Sequence, residues 1–87
     1  MAVLIDTPVW PWRGRLWSHL VSDVSYDELH AFARGLGLTE RGFDRDHYDV
    51  PGEWYDRVVA AGATPVTSRE LVARLVRSGL RHRKPRR

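Results

Sequence analysis

Ala2-Val3-Leu4-Ile5 is an uninterrupted apolar run that stops at Asp6. A half-exposed strand alternates apolar and polar residues. A continuous run reads instead as a strand buried on both faces, as at the centre of an α/β sheet. In a chain of 87 residues such a strand takes up much of the available core. A domain of this size buries roughly 60–65% of the surface its unfolded chain exposes, so one modest core is expected. We read residues 1–80 as one α/β domain and residues 81–87 as a basic tail with almost nothing to bury, expected to be disordered.

The remaining elements follow from period and punctuation. Residues 7–15 hold two prolines and Gly14 and read as a loop. Leu16 to Val21 reads as a second strand, with Trp17, His19 and Val21 on one face and Leu16, Ser18 and Leu20 on the other. Ser25-Tyr26-Asp27-Glu28 is a capping box opening a helix to about Leu36, whose stripe is Leu29, Phe32, Ala33 and Leu36. His30 borders that stripe and reads as structural. Asp46 to Val50 reads as a third strand, and Pro51 as the first position of the next helix. That helix carries Trp54, Val58 and Ala61 inward and ends at Gly62. Ala63 to Val66 is a short extended piece that its proline confines to an edge. Thr67-Ser68-Arg69-Glu70 opens the last helix, which Gly79 ends. The order β, β, α, β, α, extended, α predicts a small sandwich of a three- or four-stranded sheet and about three helices.

Composition excludes several classes of function. With no cysteine there is no disulfide framework, thiolate metal site or cysteine nucleophile, which fits a reducing cytosol, so a cytoplasmic location is expected. The N-terminal apolar run is too short for a signal peptide or a membrane span. The net charge of +3 is unevenly spread. Residues 1–68 hold six Arg against ten Asp or Glu, whereas residues 69–87 hold eight Arg or Lys against Glu70 alone.

Chemistry concentrates in Asp46-His47-Tyr48-Asp49. Strand alternation puts His47 and Asp49 on one face and leaves Asp46 and Tyr48 as support on the other. Asp6 closes the first strand, where polar residues in open α/β sheets often serve ligands. Together Asp6, His19, His47 and Asp49 form a candidate catalytic set. His19, His47 and Asp49 are the candidate ligands of a divalent metal, since imidazole and carboxylate suit transition ions. The same residues could work as an acid–base pair with a carboxylate orienting a histidine. Trp10, Trp12, Arg13 and Arg15 could stack on or clamp an anionic or aromatic ligand, with Arg15 and Trp12 the candidate ligand-binding residues; tryptophans covering a core edge explain the same loop. Plain structural hydrogen bonding between histidines and carboxylates explains the same residues equally well. No Walker loop, H-E-x-x-H, dinucleotide glycine pattern or zinc-finger spacing occurs.

Two other functions draw on other residues. A nucleic-acid-binding module would use Arg81, Arg83, Lys84, Arg86 and Arg87, with exposed tryptophans stacking on bases. A protein-interaction module, including a homodimer, would use the tryptophan loop as its contact surface.

The Gly14-Arg15 turn, the Ser18-His19-Leu20 strand with Asp23, Glu28-Leu29-His30, His47-Tyr48-Asp49 and Ala60-Ala61-Gly62-Ala63 before Arg69 form a recognisable combination. On these marks the chain resembles, over most of residues 3–70, a family of short bacterial and phage proteins known only as a domain of unknown function. The resemblance implies a shared polar site and no particular chemistry. The Pro-Val-Trp-Pro-Trp segment and the basic tail look particular to this member.

Overall fold

The structure, a computed structural model, describes residues 2–81. One mixed sheet contains β1 (Val3–Asp6), β2 (Trp10–Trp12), β3 (Arg15–Ser22), β4 (Phe43–Asp44), β5 (His47–Pro51) and β6 (Thr64–Val66). The helices are α1 (Tyr26–Leu36), α2 (Tyr55–Ala60) and α3 (Ser68–Ser78). Strands run in the order β4-β5-β3-β1-β6, and β2 pairs with β3 off this path. The α/β class agrees with the sequence, but the sheet has six strands, more than the three or four expected.

Both extra strands lie where sequence gives little signal. Trp10-Pro11-Trp12, expected as loop, pairs with β3 through Trp10↔Trp17 and Trp12↔Arg15. Trp17 also pairs with Pro51 on its other side, so β2 lies on the side of β3 opposite β5, as β1 does. Pro11 lacks a donor, which a strand with one free edge tolerates. The hairpin closes through Arg13 and Gly14, both at positive φ (54° and 75°), the backbone that two-residue hairpin turns require. β4 has two residues, too few for any period, and pairs with β5 through Phe43↔Tyr48 and Asp44↔His47.

Pro51 also departs from expectation. It ends β5 instead of opening a helix, and a 3-10 turn over Gly52–Trp54 precedes α2. Gly52 is packed so closely that a Cβ there would stand 3.1 Å from the Leu16 carbonyl oxygen. That approach keeps the chain against β3 past the proline. β6 is an edge strand, parallel to β1, as Pro65 demands.

β1 is the doubly buried interior strand the apolar run predicted, lying between β3 and the edge strand β6: Leu4 and Ile5 are fully buried. One face of the sheet, with Val3, Ile5, Leu20, Tyr48 and Val50, packs on Leu29 and Ala33 of α1 and Val58 of α2. The opposite face carries Leu4 and Val21 and packs on Leu71 and Leu75 of α3. Ser25 and Thr67 accept the backbone N–H of Glu28 and Glu70 at 3.0 and 3.1 Å, as capping residues should. The carboxylate of Glu28 turns away from the box and accepts from Ser22 instead.

α3 covers only part of its face. Beyond Val21 the same face continues as His19 and Trp17 on β3 and as Asp49 and His47 on β5. Gly79, at φ 84°, reverses the chain after α3. Leu80 then accepts a hydrogen bond from the Tyr26 hydroxyl, and Arg81 reaches Asp46 at 2.9 Å. Arg81, assigned by sequence to the disordered tail, is thus docked on the body. Residues 82–87, with Arg83, Lys84, Arg86 and Arg87, lie outside the described residues. Among the described residues no helix is long and apolar enough to cross a membrane.

Candidate metal site

The pairing His19↔Asp49 sets the site. Directly opposed residues on antiparallel strands project to the same face, and His47 lies two positions along from Asp49 on that face. One potential ligand atom each from His19, His47 and Asp49 falls within 4.8 Å of the others, and the histidine ring centroids are 5.1 Å apart.

Each imidazole is held from behind by a carboxylate. His19 Nδ1 is 2.9 Å from Asp6 Oδ2, and the His19 backbone N–H donates to Asp6 Oδ1 at 2.6 Å. The Ser68 hydroxyl, at the start of α3, donates to Asp6 Oδ2 at 2.9 Å. His47 Nδ1 is 2.9 Å from Asp46 Oδ1. Asp46 in turn accepts from Arg81 Nε and Nη2 at 2.9 and 3.2 Å.

These contacts decide the protonation states. Burial pushes the Asp6 carboxyl upward, but the bonds from His19 and Ser68 outweigh it and hold the group below its ordinary 3.8. Burial likewise opposes ionisation of Asp46, and Arg81 and His47 outweigh it in the same way. An ionised carboxylate only accepts, so Nδ1 of each histidine carries the proton. In the neutral rings Nε2 is then left with its lone pair. The Asp6 bond raises the His19 value above 6.5, against burial.

The atoms facing one another across the site do not satisfy each other. Asp49 Oδ1 is buried and has no hydrogen-bond partner among the described residues. Asp49 Oδ1 and His47 Nε2 therefore face each other at 3.2 Å, within ion-pair reach but without forming a hydrogen bond. A buried polar group left unmatched in this way is costly unless a cation or proton lies between.

The other sequence candidates fall elsewhere. Asp6 touches His19 from behind, and both its oxygens are engaged, so it orients the ring. Arg15 is four residues from His19 along β3, a rise of roughly 13 Å at about 3.3 Å per residue, and pairs with Glu53 at 3.5 Å. Trp12 lies opposite Arg15. Trp10 is the indole that reaches the site, stacked on His19 with centroids 5.1 Å apart. Tyr48 points to the opposite face, where its hydroxyl is 2.7 Å from His30 Nδ1.

Ser68 and the bond from Asp46 to His47 were not read from the sequence, and Trp10 was read as a ligand-stacking residue with no link to His19. Ser68 was legible only as part of a cap. Asp46 is off strand register: it reaches its neighbour because Arg45 takes φ 63°, a turn that residue identity does not announce. Outward from His47 an open depression of about 620 Å³ is lined by Tyr26, Asp44, Arg45, Asp46, Leu80 and Arg81.

Neither the curated proteins nor the solved structures include a match to this chain. Residues 3–78 match the family described as Protein of unknown function (DUF4031), a span that takes in every strand, every helix and all three residues of the cluster. The chain therefore belongs to the DUF4031 family.

Proposed function

We propose that the protein binds one divalent first-row transition ion through His19, His47 and Asp49 and uses it for metal-assisted hydrolysis. The observation that carries this reading is the cluster itself: one potential ligand atom each of His19, His47 and Asp49 within 4.8 Å of the others, with Asp49 Oδ1 buried and without a hydrogen bond 3.2 Å from His47 Nε2. A cation there would take these atoms as ligands. Two imidazoles and a carboxylate are a donor set suited to such ions. Carboxylates behind both rings are the arrangement that fixes tautomer and direction in metal-binding histidines.

Three protein ligands leave coordination positions open, which distinguishes catalytic from structural sites. An ion held this way lowers the pKa of bound water towards about 7 and supplies a nucleophile at neutral pH.

Calorimetric titration of the metal-free protein with Zn²⁺ and Co²⁺ tests the reading. One ion per chain is expected, with affinity weakened at least about 100-fold in His19→Ala, His47→Ala and Asp49→Ala. Asp6→Asn and Asp46→Asn should lose about 10- to 100-fold, because they disturb ring orientation only. Binding should release a proton at pH values below the raised His19 value and weaken as the solution is acidified through it. No uptake by the wild type, or uptake unchanged in the two histidine variants, overturns the proposal.

A further inference from the structure

The same face continues past the histidines onto the β2–β3 hairpin. Trp10 and Trp12 occupy alternate positions of β2 and oppose Trp17 and Arg15 of β3, so all four share the face of His19. Trp10 and Trp12 are 40% and 47% exposed, large apolar bodies that no described element covers. Their planes lie 8° from parallel with centroids 6.3 Å apart. Trp10 stacks on His19, and Trp12 meets Trp17 at 5.4 Å. The Arg13 guanidinium lies 4.7 Å from the Trp12 ring centroid and that of Arg15 5.8 Å from Trp17. The result is an open row of indoles edged by two cations, and its end is the candidate metal site.

We infer that this row binds single-stranded nucleic acid and delivers it to the His19–His47–Asp49 site. The two indoles lie nearly parallel and half exposed, so each offers an aromatic surface to an unpaired base. Stacking on aromatic side chains beside a positive groove is how proteins hold single strands without reading sequence. Arg13 beside Trp12 provides a matching charge for phosphates, with Arg15 available where it gives up its pair with Glu53, although the body as a whole is acidic. The row is an open strand surface, so one nucleotide gains little there, whereas a polymer adds a stack and a phosphate at each step. A duplex keeps its bases stacked on one another and cannot use the indoles.

As a statement about substrate the inference rests on the metal proposal. As a statement about binding it stands without metal, and the test exploits that. The full chain is titrated with a fluorescein-labelled oligothymidylate in EDTA and followed by anisotropy and by quenching of tryptophan emission. Metal uptake is measured separately. Binding that weakens with salt is expected, along with much weaker binding of a duplex of equal length. Trp10→Ala and Trp12→Ala should each lower affinity about 5- to 150-fold, the range found for single stacked bases. Trp12→Phe should retain most of the binding, and circular dichroism checks that each variant is folded. Trp12→Ala should leave metal uptake intact, because Trp12 does not touch the histidines.

No oligonucleotide binding at low salt overturns the inference. So does binding unchanged in Trp12→Ala, which would assign it to the basic C-terminal residues. Self-association of the protein that Trp12→Ala abolishes in the absence of nucleic acid would assign the row to a protein interface and overturn it too. Failure of metal uptake with oligonucleotide binding intact would remove the metal proposal and leave the strand-binding surface standing.

Discussion

The two faces of this sheet solve the same problem differently. On the face towards α1 and α2, Val3, Ile5, Leu20, Tyr48 and Val50 are buried and the polar groups mostly find partners: Ser22 binds Glu28, and Tyr48 binds His30. On the face towards α3 the fully buried apolar residues stop at Leu4 and Val21, and the same strands go on as Asp6, His19, His47 and Asp49 before the tryptophans. Histidines occur on both sides. His30 meets a hydroxyl that satisfies it, whereas His19 and His47 are braced from behind and turn an open nitrogen towards a carboxylate. A satisfied polar group is part of the scaffold, and a braced but unmatched one calls for an explanation, which the metal proposal supplies.

The comparison breaks most visibly if the apolar face does not dominate stability. Leu20→Ala should cost about 2–5 kcal/mol in urea unfolding, the range for emptying a well-packed aliphatic site. Its metal uptake in the folded fraction should persist. A loss below about 1 kcal/mol would mean that the helical face is loosely packed.

Next in size is the brace itself. Asp6→Asn removes a buried, paired charge and should destabilise the metal-free protein by about 3 kcal/mol. The pH dependence has a definite sign. The depressed Asp6 value contributes stability that is present above 3.8 and lost as pH falls through the lower folded value. The raised His19 value contributes stability that is present below 6.5 and lost as pH rises through the higher folded value. The difference between wild type and Asp6→Asn should therefore be greatest between pH 3.8 and 6.5. A flat difference across that range would show that the contact carries no net charge interaction.

The smallest effect sharpens the contrast between two buried atoms without a hydrogen bond among the described residues, Ser18 Oγ on the apolar face and Asp49 Oδ1 on the open one. Ser18→Ala removes a buried hydroxyl without a partner and should stabilise by roughly 1 kcal/mol while leaving metal uptake unchanged. Asp49→Ala should abolish uptake. If both behaved alike, an unmatched atom would say nothing about function here.

Much of this was legible from residues alone. The apolar run to Ile5 announced a strand buried on both faces, although β3 and not β1 is central, and alternation in Leu16–Val21 and Asp46–Val50 put His19, His47 and Asp49 on one face. Period reads which residues share a face, and it cannot read what lies between strands. β2 was hidden because two prolines mark a loop more strongly than two tryptophans mark a strand. β4 was hidden by its length. The bond from Asp46 to His47 depends on a left-handed Arg45, and that from Ser68 to Asp6 joins residues 62 positions apart. Arg81 was read as tail because charge pattern gives no hint that a turn at Gly79 carries it to Asp46.

Anomalous diffraction from crystals grown with Zn²⁺ is the most direct measurement of the central claim. The account predicts one peak per chain about 2.0–2.2 Å from Nε2 of His19, Nε2 of His47 and a carboxylate oxygen of Asp49, with Asp6 and Asp46 still bound to Nδ1 of the two rings. Absence of a peak between the histidines, or a peak held by other residues, would contradict it.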